Sequence, residues 1–168
     1  IISDTHFSHN SMLKFTKEDG TLLRPEFRDA SHMDEVMIQK WNEVVRPQDH
    51  VWHLGDVAMK RDALMLVRRL NGHKRLVFGN HDIFDYKDYA RVGFEKLMAY
   101  RVLEGMILSH IPIHPGDLGR FKLNVHGHLH SHHVKLDNGH PDCRYYNAGV
   151  ERNNYTPIAF EELKKLIA

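Results

Sequence analysis

The chain has 168 residues, enough for one domain with a sizeable core, and its 42% hydrophobic and 27% charged content is that of an ordinary globular protein, which excludes a disordered or fibrous class. A net charge of +1 gives no electrostatic case for nucleic acid or a membrane surface as an obligatory partner, and one cysteine, Cys143, excludes an intrachain disulfide. No apolar run approaches the roughly 20 residues of a membrane span, so we expect a cytoplasmic protein with no signal peptide. The start at Ile1 rather than Met leads us to expect preceding residues. The compositional anomaly is 15 histidines, with no tag-like run to account for them.

Ile1-Ile2 reads as the end of a buried strand that runs into Ser3-Asp4-Thr5-His6. Residues 7–31 read as irregular, with a turn at Lys17-Glu18-Asp19-Gly20 and Pro25 as a breaker. Ser31, three residues before Asp34, reads as the N-cap of an amphipathic helix carrying Met33, Val36, Met37, Trp41 and Val44, ended by Pro47. A strand at 51–54 leads to Gly55-Asp56, and a helix at 62–70 stops at Asn71-Gly72. A strand at 74–78 ends at Gly79-Asn80-His81-Asp82. Residues 94–103 and 106–109 read as a hairpin around Glu104-Gly105, ending at His110-Ile111-Pro112. A strand at 121–125 feeds His126-Gly127-His128-Leu129-His130, a further one falls at 145–148, and 160–167 reads as a closing helix with Glu early and Lys late. The expectation is one α/β domain over 1–168, with no linker, repeat or low-complexity segment.

His126, His128 and His130 alternate, so on a strand all three share a face. Crowded imidazoles repel when protonated and need partners when buried neutral, and a divalent cation resolves both problems. This stretch alone leaves open which of the three would be ligands. Each earlier strand delivers metal-type side chains at its C-terminal end as well: Asp4 and His6, Asp56, Asn80 and His81, then His110. Open α/β sheets place ligand sites at those ends. Singly each is weak, since Asp56 and Asn80 beside glycines are more often turn residues; five such ends in order are far more specific.

Asp4-x-His6, Gly55-Asp56, Gly79-Asn80-His81-Asp82, His110 and Gly127-His128-Leu129-His130 together resemble the calcineurin-like metallophosphoesterases, in particular the short capless bacterial and phage members. The resemblance covers nearly the whole chain and implies a four-layer αββα sandwich with two mixed β-sheets. It implies two divalent metals, manganese first and iron, zinc or nickel as alternatives, with Asp4, His6 and His130 on one, Asn80, His110 and His128 on the other, and Asp56 bridging. The pattern begins at Gly127, so His126 becomes a strand-end residue or a support for the ligands, off the metals. A hydroxide shared by two such ions attacks phosphorus in line with the leaving oxygen. The resemblance also implies that His81 serves the leaving-group oxygen, and Asp82 is expected to orient that imidazole, to cap a turn, or to do both.

Weaker candidates are His9 for substrate, Arg24 and Arg28 as loop arginines able to grip phosphate or simply exposed, and His114 in the cleft. His53 is expected to be structural and Cys143 a small packing residue. The function expected is hydrolysis of phosphodiesters, nucleotides or other small phosphoesters, the chain having no room for a cap; nuclease or phosphomonoesterase action is the alternative. A metal-binding interaction module without catalysis is a different class of reading, and so is a single structural metal, which needs only four closed ligands. Nucleic acid remains a partner that the charge does not indicate; no membrane partner is expected, and the oligomeric state is not legible.

Overall fold

The computed structural model describes residues 1–168. Successive side chains of a strand face opposite ways, and in this chain both faces are apolar where burial requires it. Val51 and Leu76 pack with Met33, Met37, Trp41 and Tyr89 in one core, while Trp52 and Val77 pack with Met106, Leu108, Leu123 and Val125 in another. The first core lies between helices and a parallel sheet made of β1 (His50–His53), β2 (His73–Val77) and β3 (Phe94–Met98), in that order. The second lies between that sheet and a mixed one, β4 (Tyr100–Leu103), β5 (Met106–Ser109), β6 (Leu123–His126) and β7 (Tyr145–Asn147), in which only β4 and β5 are antiparallel. The expected α/β sandwich of two sheets is therefore the observed fold, but only the second sheet is mixed as expected; the first is wholly parallel, because each of its strands is joined to the next by a helical crossover. Helix α1 (Ala30–Val44), a 3₁₀ segment (Asp62–Arg69) and α2 (Tyr86–Arg91) supply the outer layer on the first sheet. On the far side of the second sheet the cover is a thin segment with α3 (Pro115–Leu118), where Ile113 N–H donates to Asn124 and Tyr145 donates to the Ile113 carbonyl. Helix α4 (Phe160–Lys165) adds Leu163 to the core between the sheets.

The first residues stitch the sheets together. Ile2 exchanges hydrogen bonds with Trp52 and Leu54, whereas Ser3 exchanges them with Ala148 and Val150. Asp4 thereby leaves this seam between the C-terminal ends of both sheets.

Local chemistry moves several expected boundaries. Asp29, not Ser31, caps α1 by accepting from His32 N–H at 2.7 Å; Ser31 lies inside the helix, and the Asp34 carboxylate is engaged by Ser8. The 62–70 segment is 3₁₀ rather than α: Leu64, Val67 and Leu70 are buried at a spacing of three, which suits three residues per turn. The expected strand at 94–103 divides into β3 and β4, in different sheets, and only β4 pairs with β5. Trp41, at 1% exposure, and His53, bonded to Thr5 Oγ1, are structural as expected, but Cys143 is exposed rather than packed.

Candidate metal centre

Because β1, β2 and β6 run parallel to their neighbours, the turns that follow them open on one side of the molecule. Asp56 follows β1, Asn80 and His81 follow β2, His110 follows β5, and His128 and His130 follow β6. The backbone turns sharply at these positions: Asp4, His6, Asp56, His128 and His130 all have positive φ, between 49° and 69°. Such conformations are costly for side chains with a Cβ and persist where the surroundings impose them. Gly79 and Gly127 let the turns close, since a Cβ on the first would overlap the Asp56 carboxylate and one on the second would overlap Ser3 Oγ and the Asp4 carboxylate.

The donor atoms converge. Those of Asp4, His6 and His130 lie within 4.8 Å of one another, and so do those of Asp4, Asp56 and His110. Asp4 is common to both groups, and Asp56 Oδ2, in the second, stands 3.4 Å from His110 Nε2 and 3.5 Å from His6 Nε2 of the first. Asn80 Oδ1 is 2.9 Å from His110 Nε2 and 2.9 Å from His128 Nδ1, joining both rings to the second group. These residues could hold divalent cations, and two properties fit them for it. Both ring nitrogens of His6 are buried without a hydrogen-bond partner, a costly arrangement that a cation relieves. The donor set of carboxylate, amide and imidazole, without thiolate, suits manganese, iron, zinc or nickel.

Electrostatics points the same way. Burial pushes the Asp4 carboxyl up to about 6, against the lowering influence of His130 and His110. Burial also works against ionisation of Asp56, but the His110 imidazole beside it holds that carboxyl below the usual range. A bound cation would favour both carboxylates.

A second layer fixes the rings of His110 and His130. His110 Nδ1 donates to the Leu54 carbonyl at 2.7 Å, leaving Nε2 for the centre. His130 Nδ1 lies 3.1 Å from Glu151 Oε1, which also accepts from Arg24 at 2.7 Å and 2.9 Å. Burial opposes ionisation of Glu151, yet the Arg24 charge and the His130 bond hold it at about 2. Arg24 is wholly buried and donates to the carbonyls of Asp4 and Thr5, so it braces the centre from inside rather than gripping phosphate from a loop. Arg28 is exposed and pairs with Asp29. Glu151 escaped the sequence reading, although the pattern of chemistry after strand ends extends to it: it follows β7 by a few residues.

Other expected residues divide. His81 is exposed, its N–H donates to Asp56 Oδ1 at 2.9 Å, and its ring lies 5.7 Å from that of His6. Asp82 does not orient it. The Asp82 carboxylate accepts instead from the backbone N–H groups of Asp56, Val57 and Gly79, at 2.7, 3.0 and 2.8 Å, and so staples the turn after β1 to the turn after β2. His126 is buried, bonded to the Gly127 carbonyl and outside both donor groups. His114 is exposed and caps Gly116. A shallow depression of about 340 Å³ adjoins Asn80 and His110, bordered by Phe78, Ala99 and Ile111. A larger cavity of about 550 Å³ lies around His50 and Trp52, at the opposite end of β1.

No family model matches the sequence. Uncharacterized protein MJ1445 of Methanocaldococcus jannaschii is 32% identical over 177 residues, spanning 99% of this chain and 89% of that protein. The crystal structure of AQ665 from Aquifex aeolicus, a protein of unknown function, matches with a TM-score of 0.70 at 30% identity, over 99% of this chain and 97% of the other. Nuclease MPE of Pseudomonas putida matches with a TM-score of 0.51 at 20% identity, over 82% of this chain and 63% of its own, a likeness of fold.

Proposed function

The chain belongs to one family with MJ1445 of Methanocaldococcus jannaschii, and from its centre we propose that it is a dinuclear metal-dependent phosphoesterase of the calcineurin-like superfamily. The observation that carries this reading is the position of Asp56 Oδ2, 3.5 Å and 3.4 Å from the Nε2 atoms of His6 and His110, with Asp4 common to the donor groups of both rings, His130 in that of His6, and Asn80 joining His110 to His128. A single structural ion would leave half of this set without a role. Asp4, His6 and His130 would hold one ion and Asn80, His110 and His128 the other, with Asp56 between them; manganese is our first expectation. Such a pair of ions supplies a nucleophile at neutral pH and neutralises charge on the phosphoryl oxygens.

The protein's own groups then orient and move protons. His81, exposed beside His6 and anchored through its N–H to Asp56, would donate to the leaving-group oxygen. Asp56 holds both its neighbours and the His81 backbone, so the acid and the centre share one carboxylate. With no cap over the metal face, we expect phosphodiesters or nucleotides to be hydrolysed more readily than monoesters. The likeness of fold to a nuclease makes nucleic acid the second substrate to try.

The test is a manganese-loaded substrate panel. It comprises bis-p-nitrophenyl phosphate, p-nitrophenyl phosphate, cyclic nucleotides, dinucleoside polyphosphates and single-stranded nucleic acid, with metal analysis alongside. We expect close to two ions per chain and diester turnover; one tightly held ion, or no turnover on any phosphoester, would overturn the reading. His81→Ala should keep its metal and lose about 10²- to 10⁴-fold in turnover, and undiminished activity would remove His81 from the mechanism.

A further inference from the structure

His9 stands beside the donor cluster without belonging to it. Its ring centroid lies 5.5 Å from that of His6 and 6.1 Å from that of Phe15, whose ring meets it edge-on. The His81 ring lies 5.7 Å from the same His6, so two imidazoles outside the candidate ligand set flank one ligand. His9 Nδ1 is buried with no hydrogen-bond partner, whereas Nε2 is not among the buried atoms and no protein group bonds it. A buried unpaired N–H is worse tolerated than a buried unpaired acceptor, so the neutral ring carries its proton on Nε2. His9 therefore presents a donor on the open side of the centre.

The turn that carries it is held more firmly than a plain surface loop requires. Ser8, at φ 57°, gives its N–H at 2.8 Å and its hydroxyl at 2.7 Å to the two oxygens of Asp34, which is 5% exposed on α1. The His9 N–H donates to the His6 carbonyl at 3.1 Å, and the His9 carbonyl accepts from Met12, a core residue. A buried carboxylate at the start of a helix is thus committed to two donors of one loop residue, with Phe15 packed against the ring. This is the support expected for a side chain whose position matters.

We propose that His9 is a substrate-contacting residue, its Nε2–H donating to a non-bridging oxygen of the phosphoryl group on the His6 side, with Ser8 and Asp34 as its positioning residues. The assignment rests on the phosphoesterase reading above and gives the centre a second imidazole contact, distinct from the leaving-group role of His81. The ligand chemistry is a tetrahedral phosphoryl group, whichever alcohol it is esterified to.

The test compares manganese-loaded wild type, His9→Leu, His9→Gln and Asp34→Asn by metal content, kcat/KM on bis-p-nitrophenyl phosphate, and inhibition by inorganic phosphate. His9→Leu should keep its manganese while kcat/KM falls and phosphate inhibition weakens, each by about 10- to 100-fold, the size of one lost hydrogen bond to a charged group. His9→Gln, whose amide can place an N–H near the Nε2 position, should recover much of both. Asp34→Asn should cause a smaller loss in the wild type and none beyond that of His9→Leu in the double variant. Unchanged kcat/KM and phosphate inhibition in His9→Leu would overturn the assignment, and so would loss of manganese, which would make His9 a ligand. An active wild type with either result defeats this assignment alone; a wild type inactive on every phosphoester defeats the phosphoesterase reading and this assignment with it.

Discussion

Asp4, His6, Asp56, His128 and His130 share a backbone conformation that ordinary residues avoid, and they are five of the nine non-glycine residues with positive φ. Strain of this kind persists where the surroundings impose it, and the clearest instance is His130, held by Glu151. Glu151 offers one oxygen to both Arg24 and His130, with both charged partners of the ion pair buried. Glu151→Gln removes the countercharge of a buried guanidinium, and breaking such a pair costs about 3–5 kcal/mol. It also loosens the His130 ring, and loss of a partner of this kind weakens metal binding by about 10- to 100-fold. Urea denaturation in EDTA and manganese titration should show both losses together. Unchanged stability would mean that Arg24 finds another partner.

At the scale of elements, the turns after β1 and β2 act as one unit, because Asp82 in the second accepts three backbone N–H groups drawn from both. Each buried N–H left unpaired costs about 1–3 kcal/mol. Asp82→Ala should therefore lower the melting temperature and the affinity for manganese, yet retain turnover at saturating metal. His81→Ala should show the reverse, with stability and metal affinity kept and turnover lost. Thermal melts and manganese-dependent rates of the two variants side by side separate support from chemistry; a stable Asp82→Ala with lost turnover would return Asp82 to the mechanism.

For the molecule as a whole, the two cores leave the candidate metal centre at one end of the sheets and bury a titratable ring behind it. His53 lies between the helical layer and the first sheet, stacked on Trp41 and bonded to Thr5, and burial pushes its pKa down to about 3. A histidine whose folded pKa is depressed binds its proton more readily when unfolded. Its contribution is present above the unfolded value near 6.5 and is lost progressively as the pH falls towards 3, by at most about 1.4 kcal/mol per pH unit. Urea midpoints in EDTA at pH 7, 6 and 5 should therefore decline, and less steeply in His53→Gln. An equal slope in the variant would assign the acid sensitivity to other groups.

The sequence by itself determined the class of the fold and brought forward the donor residues of the candidate centre, though not Glu151 behind them. Strand ends followed by glycine, carboxylate, amide and imidazole are local patterns, and parallel strands bring such ends to one side without further information. The exclusion of His126 came from the resemblance, whose pattern begins at Gly127; the alternation of the three histidines alone left it open. Only the tertiary structure decided what depends on distant partners. Asp34 reads only as the far end of a capping pattern begun at Ser31 until Ser8, 26 positions away, claims its oxygens. Arg24 reads as a loop cation until Glu151, 127 positions away, pairs with it in the interior. Asp82 reads as the partner of its neighbour His81, but the donors nearest its oxygens belong to the end of another strand. The strand at 94–103 reads as one until its two halves find edges in different sheets. In each case the local pattern names the chemistry a residue can do, and burial against a remote segment selects which partner receives it.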